Sequence, residues 1–169
     1  EARFDTLTGV ANRRHFEERL ALAVARGRHQ PTALAVLYLD IDYLKQINDR
    51  HGHAVGDVVI REFATRLVGC VRDSDLVARI GGDEFVVLTE HVEATLASDA
   101  AERTALAVIA AMVAPVTLEG MTLRISTSIG IAVTQSLNNA DTLIADADRA
   151  LYAAKAAGRN TWRRAESSH

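Results

Sequence analysis

Leu76-Val77-Ala78-Arg79-Ile80-Gly81-Gly82-Asp83-Glu84-Phe85-Val86-Val87-Leu88 holds two extended apolar runs, Leu76–Ile80 and Asp83–Leu88, joined by a glycine pair. Gly81-Gly82 suits a two-residue hairpin, because both central positions of such a turn can require φ > 0. Upstream, Ala33–Leu39 is a short apolar run that ends in Asp40 and reads as a buried strand. Downstream, Val116–Glu119 and Met121–Val133 read as a second hairpin about Gly120, and Thr161–Arg164 as a short closing strand. Helical patterns lie between. Phe16, Leu20 and Val24 recur every four residues behind Asn12, a suitable N-cap. Tyr43–Arg50 reads as a short helix and His51-Gly52-His53 as a turn. A longer helix follows, with Val59, Phe63, Leu67 and Val71 on one face. Ser98–Ala114 is Ala-rich, with Leu106, Ile109 and Val113 at helical spacing; Asn139–Ala157 is helical again, with Gly158 at its C′ position. Pro31 and Pro115 each stand between a helical and an extended pattern. Helices mixed with antiparallel hairpins predict an α+β domain rather than a doubly wound parallel sheet.

Composition narrows the class. The 169 residues are 49% apolar and 24% charged, which fits one globular domain and excludes a disordered tail or a fibre. A chain of this length buries about 70% of its unfolded surface, enough for a core without staples. A single cysteine, Cys70, rules out an intramolecular disulfide and fits a reducing compartment. The longest apolar stretch, Ala105–Val116, is interrupted by Pro115 and falls short of the ~18 residues that suggest a membrane span. No signal-peptide pattern opens the sequence, so the expected location is cytoplasmic. A net charge of −3 and few, scattered aromatic residues argue against a nucleic-acid binder.

Two acidic groups stand where a core would be costly to charge. Asp40 and Asp42 end an apolar run, and Asp83 and Glu84 follow the glycine turn. If the first strand lies beside the hairpin, Asp40 and Asp83 converge at one end of the sheet. Hard oxygen ligands of that kind, with the rest supplied by phosphate and water, suit Mg²⁺ better than zinc. Spacing alone leaves the alternative open: such acids also cap strand ends or face solvent. His51 and His53 supply no zinc pattern, and Cys70 reads as a small buried hydrophobe on an apolar helix face.

The wording of the segments goes further. Arg79-Ile80-Gly81-Gly82-Asp83-Glu84-Phe85 resembles the signature of the GGDEF family, the diguanylate cyclases. Asp5-Thr6-Leu7-Thr8-Gly9 with Asn12-Arg13-Arg14 resembles that family's opening, and Asp40 to Asp49 with Gly52-His53 and Gly56-Asp57 its nucleotide-binding stretch. Ser128 to Ala132, Ala147 to Lys155 and Gly158-Arg159-Asn160 continue the series, so the resemblance is collinear from Asp5 to about Asn160. It implies a nucleotidyl-cyclase palm, a central mainly antiparallel sheet flanked by helices. The whole chain, 1–169, would be one such domain, cut from a longer signalling protein that could itself be membrane-anchored.

The implied reaction condenses two GTP into cyclic di-GMP with release of pyrophosphate, each 3′-hydroxyl attacking the other nucleotide's α-phosphate. Asp40, Asp83 and the backbone carbonyl of Ile41 would hold Mg²⁺, with Mn²⁺ as an alternative. Glu84 would add to the acidic centre and help activate the hydroxyl. Asn48 and Asp57 would read the guanine edge, since a carboxylate accepts from N1–H and N2–H₂. Lys45, Lys155 and Arg159 would meet phosphate, as would the N–H groups of Tyr43 and Leu44, and Gly81 and Gly82 would let the ligand come close. Read without the family, Lys155 and Arg159 complement a helix dipole. Leu44 departs from the family's usual Phe; a similar volume predicts altered packing and intact chemistry.

Arg72-Asp73-Ser74-Asp75 has the Arg-x-x-Asp form of the family's inhibitory site, which binds product away from the active centre; Arg103 would be a second arginine there. Outside the family pattern the same four residues read as a solvated helix end with a local ion pair. Two protomers, each carrying one GTP, would have to face each other. The runner-up is a catalytically silent domain that binds GTP or cyclic di-GMP and regulates a partner.

Overall fold

Nine consecutive buried residues explain the centre of the molecule. The computed structural model describes residues 2–135 and 140–166. In chain order the elements are β1 (Ala11–Asn12), α1 (Arg13–Gly27), β2 (Ala33–Ile41), α2 (Leu44–His51), α3 (His53–Val68), β3 (Leu76–Arg79) and β4 (Glu84–His91). They continue with α4 (Ala94–Ala111), β5 (Val116–Leu118), β6 (Met121–Leu123), β7 (Thr127–Thr134), α5 (Ala140–Ala156) and β8 (Trp162–Arg164). Six strands form one sheet in the order β1-β3-β4-β2-β7-β8. The four inner strands pair antiparallel, while β1 and β8 join the edges in parallel. The result is a mixed α+β sheet flanked by helices, as expected.

All of β2 is buried because helices cover both faces, which is why it reads as an unbroken apolar run. Alternation sends Leu37, Leu39 and Ile41 to one face, with Phe85, Val59 and Phe63. Leu34, Val36 and Tyr38 point to the other, against Phe16 of α1 and Ala147 and Leu151 of α5. Asp40 follows Tyr38 on the α5 side. That helix sits close because Gly130 faces it: a Cβ there would fall 2.1 Å from the Ala147 carbonyl oxygen and 2.2 Å from the Leu151 nitrogen.

Several local expectations hold. The Asn12 side chain accepts from the His15 N–H at 2.9 Å and starts α1. Gly52, at φ 93°, separates α2 from α3, and Gly158 at φ 110° ends α5. The expected helix start at Asn139 lies outside the described residues. Leu44 is buried in the core, in line with a packing role for that departure.

Others change. Neither Gly81 nor Gly82 has a positive φ. The β3–β4 connection spans Ile80–Asp83 and is held from outside: Ile80 N–H donates to Glu84 O at 2.9 Å, and the Arg79 guanidinium to Gly82 O at 2.9 and 3.2 Å. Met121–Val133 is two strands, not one. β5 and β6 pair about Gly120, whereas β7 belongs to the central sheet. Just before β7, Ser126 O accepts from the Asp42 N–H at 3.0 Å. On α4 the packed face is Ala97, Ala101, Ala105 and Val108, with Ile109 partly buried against the core as expected, while Leu106 is 57% exposed and Val113, past the helix end, 66%. Small side chains let α4 lie close to the sheet. Val71 packs on the core from beyond the end of α3, and Cys70 lies in the turn between them and not on a helix face. Among the described residues no helix is long and apolar enough to cross a membrane.

Candidate active site and a second arginine cluster

The open end of β2 carries the chemistry. Asp40 is 7% exposed, opposite Glu84 on β4 and Ser128 on β7. One of its oxygens, Oδ2, accepts from Lys155 Nζ in the last turn of α5. The other, Oδ1, is buried with no hydrogen-bond donor among the described residues. Burial, then the closeness and charge of the neighbouring Asp83, push the Asp40 carboxyl well above the usual carboxylate range, with Lys155 pulling the other way. The Ile41 N–H donates to Asp83 O at 3.1 Å, which fixes the turn against the strand end. So the two acids converge, as the strand-beside-hairpin reading anticipated.

This donor set fits a hard cation. It offers two carboxylates and a carbonyl-bearing strand end, with one buried oxygen left without a partner. Among the described residues no group of three or more His, Cys, Asp or Glu gathers for a metal, so a cation here would take the rest of its ligands from elsewhere.

Asp42 has a different job. Its carboxylate accepts from Ser126 Oγ and Ser128 Oγ, each at 2.6 Å, and from the Asn160 N–H at 3.0 Å. All of these partners come from late in the chain, and they tie β2, β7 and the segment after α5 together. Asp5 is also structural: Thr8 donates to it twice, and Arg79 forms an ion pair at 3.2 Å. Burial would raise the Asp5 pKa, but the Thr8 and Arg79 contacts outweigh it and hold the carboxyl below its usual range. The opening motif thereby anchors the arginine that grips the glycine turn.

The other candidate residues fall on α2, on α3 and at the end of α5 or just beyond it. Tyr43 precedes α2 in the left-handed region at φ 60°, with no side-chain cap, so the first N–H groups of the helix have no capping side chain. Arg159, itself at φ 64°, stacks its guanidinium 5.0 Å from the centre of the Tyr43 ring. Lys45 is exposed on α2. Asn48 Oδ1 is buried without a donor, and a Cβ on Gly56 would fall 1.7 Å from it. Asp57, the next residue, is exposed on α3, so both guanine candidates sit on the α2–α3 pair.

Tyr38 was not singled out by the sequence. Its hydroxyl donates to Glu84 Oε2 at 2.7 Å, and burial together with the Glu84 bond and charge raises its pKa well above the usual phenol range.

The second arginine cluster lies elsewhere on the sheet. Arg72 grips Asp75 through its backbone N–H at 2.9 Å and its guanidinium at 2.8 and 3.2 Å. Arg103 from α4 lines the same cleft, of about 390 Å³, as do Thr89 and His91. His91 is another residue the sequence reading missed. Its Nε2 lies 3.4 Å from Arg72 Nη2 and 3.1 Å from Thr89 Oγ1. Burial and the charge of Arg72 lower its pKa.

Comparison with known proteins completes the picture. The family described as diguanylate cyclase, GGDEF domain, matches residues 2–161. The diguanylate cyclase TpbB of Pseudomonas aeruginosa is 47% identical over 171 residues, covering 98% of this chain but only 38% of TpbB. A solved structure comprising only the TpbB GGDEF domain matches with TM-score 0.86 at 44% identity, covering 96% of this chain and 94% of that one. The GGDEF domain of DgcB from Caulobacter crescentus, in complex with c-di-GMP, matches with TM-score 0.86 at 32% identity, covering 99% and 98%.

Proposed function

Since the chain belongs to the GGDEF-domain family of diguanylate cyclases, we propose that it is a catalytically active domain that condenses two GTP into cyclic di-GMP. It forms part of a longer signalling protein and works in the cytoplasm, where GTP is available. The observation that carries the activity is Asp40 Oδ1, a buried carboxylate oxygen with no donor, beside Asp83. A buried acid left half-paired is costly unless something else completes it.

Asp40, Asp83 and the Ile41 carbonyl are the residues that would hold Mg²⁺ or Mn²⁺; a bound cation would offset charge on the attacked phosphate. Lys155, which pairs with Asp40, is the cation nearest the acids, and with Lys45 and Arg159 it binds phosphate. The Tyr43 and Leu44 N–H groups add donors at the start of α2. Asn48 and Asp57 supply acceptors for the guanine N–H groups, and Asn48 Oδ1 already stands without a partner. Gly82, with nothing within 4 Å of a would-be Cβ, leaves room for nucleotide, and Gly81 adjoins it. Glu84 takes the proton from the attacking 3′-hydroxyl as the new O–P bond forms and pyrophosphate leaves. Each domain offers one such site, so catalysis needs a homodimer. Product binding at Arg72, Asp75 and Arg103 restrains the rate.

Asp83→Asn tests the reading. It removes one metal-binding charge while keeping the shape, and should abolish cyclic di-GMP synthesis in a chain that still folds by circular dichroism. Wild-type turnover with Mg²⁺ would refute the role given to Asp83.

A further inference from the structure

We infer that Tyr38 is a positioning residue for the cyclase reaction: its hydroxyl holds the Glu84 carboxylate by one oxygen and leaves the other for the reacting hydroxyl. The inference rests on the role proposed for Glu84.

Three observations lead to it. Tyr38 is the one residue with a polar side chain in the run Ala33–Leu39, and at 8% exposure its ring belongs to the core between the sheet and α5. A phenol placed there must find a partner. The partner is Glu84 Oε2 at 2.7 Å, and the Glu84 carboxylate has no other hydrogen bond among the described residues.

The register shows what the bond does. Glu84 lies directly opposite Asp40, whereas Tyr38 lies opposite Val86, so the contact runs diagonally along one face of the sheet. Glu84 is thereby drawn back from the strand end toward the core. Room for that pose comes from Gly81, whose would-be Cβ would sit 3.4 Å from Glu84 Cβ, Cδ and Oε2. The ring itself is packed in the cluster that includes Leu143, Ala147 and Leu151 of α5. Its neighbour across β7 is Gly130, and the backbone of α5 rests directly on that glycine. A rigid aromatic in a packed core therefore fixes one oxygen of an otherwise long and rotatable carboxylate.

Tyr38→Phe keeps the ring and its packing and removes only the donor. The expected result is a kcat about ten-fold lower, the order of a lost hydrogen bond to a charged group, with KM for GTP within two-fold of wild type. Equilibrium affinity for a fluorescent GTP analogue should be unchanged. Glu84→Gln and the double variant complete a cycle. If Tyr38 acts through Glu84, adding Tyr38→Phe to Glu84→Gln lowers kcat no further. The inference fails if Tyr38→Phe alone keeps wild-type kcat while Glu84→Gln is impaired. It fails equally if the two losses multiply, or if Tyr38→Phe raises KM and leaves kcat intact. Wild-type kcat in Glu84→Gln would instead remove the role of Glu84, and the inference with it.

Discussion

Replacing Gly130 with alanine is a one-methyl perturbation of the contact that places α5. The new Cβ would stand 2.1 Å from the Ala147 carbonyl oxygen, 2.2 Å from the Leu151 nitrogen and 2.8 Å from Leu151 Cα. All three are backbone atoms of a helix, so no side chain can rotate aside. To reach an ordinary contact α5 must retreat by more than 1 Å, which loosens its packing on the sheet. Leu143, Ala147 and Leu151 are all buried in that packing. Overpacking commonly costs about 1–3 kcal/mol, and a backbone-to-backbone clash belongs at the upper end. At about 3 kcal/mol, a domain of this size should melt roughly 6–12 °C lower. The consequence for function is milder. Lys155 stands two turns beyond Ala147 on a flexible stem, so its ammonium can still reach Asp40 once the helix has shifted. A thermal melt followed by circular dichroism, with a urea titration beside it, reads the stability loss directly. A Gly130→Ala protein that melts within about 2 °C of the parent would refute the claim that α5 rests on that glycine.

Gly56→Ala is the contrasting case, because its Cβ meets a side-chain tip, Asn48 Oδ1, at 1.7 Å. Asn48 can swing away at little cost to the fold, so the melting temperature should hold while KM for GTP rises about ten-fold; unchanged KM would remove Asn48 from guanine recognition. Arg72→Ala should abolish inhibition by cyclic di-GMP with the initial rate within two-fold, since the backbone N–H of residue 72 still donates to the largely buried Asp75 carboxylate and the cluster holds none of the proposed catalytic residues; inhibition at the wild-type product concentration would make the Arg72–Asp75 pair purely structural. Specific activity should rise with protein concentration, the rate following roughly the square while dimers are scarce, and a dimeric coiled coil fused before Glu1 should raise it. Strict proportionality across a wide dilution series, from a protein that sediments as a monomer throughout, would refute the two-protomer mechanism.

Much of the fold is legible where the physics is local. β2 announces itself as an unbroken apolar run because both its faces are covered, and Asn12 and Gly158 mark helix ends through bonds and dihedrals of their own neighbourhoods. The phase of α4 is harder. Alanine is at home on a packed face or a wet one, so the larger Leu106 and Val113 draw the eye to the exposed side. The contacts of Asp42 are equally remote, with partners 84, 86 and 118 residues away. Distance in sequence also hides Tyr38, whose partner Glu84 is 46 residues on, and His91, which meets Arg72 only after β4 pairs with β3. Asp40 and Asp83 are the exception. Each ends or follows an apolar run, and pairing those runs is enough to bring them together.

The most direct test of the central claim is to incubate the purified chain with GTP and Mg²⁺ and to separate the nucleotides by chromatography, counting released pyrophosphate in the same samples. The account predicts cyclic di-GMP with two pyrophosphates for each molecule formed, and none of either from Asp83→Asn. GTP returned intact at high protein concentration, from a folded chain that binds it, would contradict the account and leave a regulatory binding domain in its place.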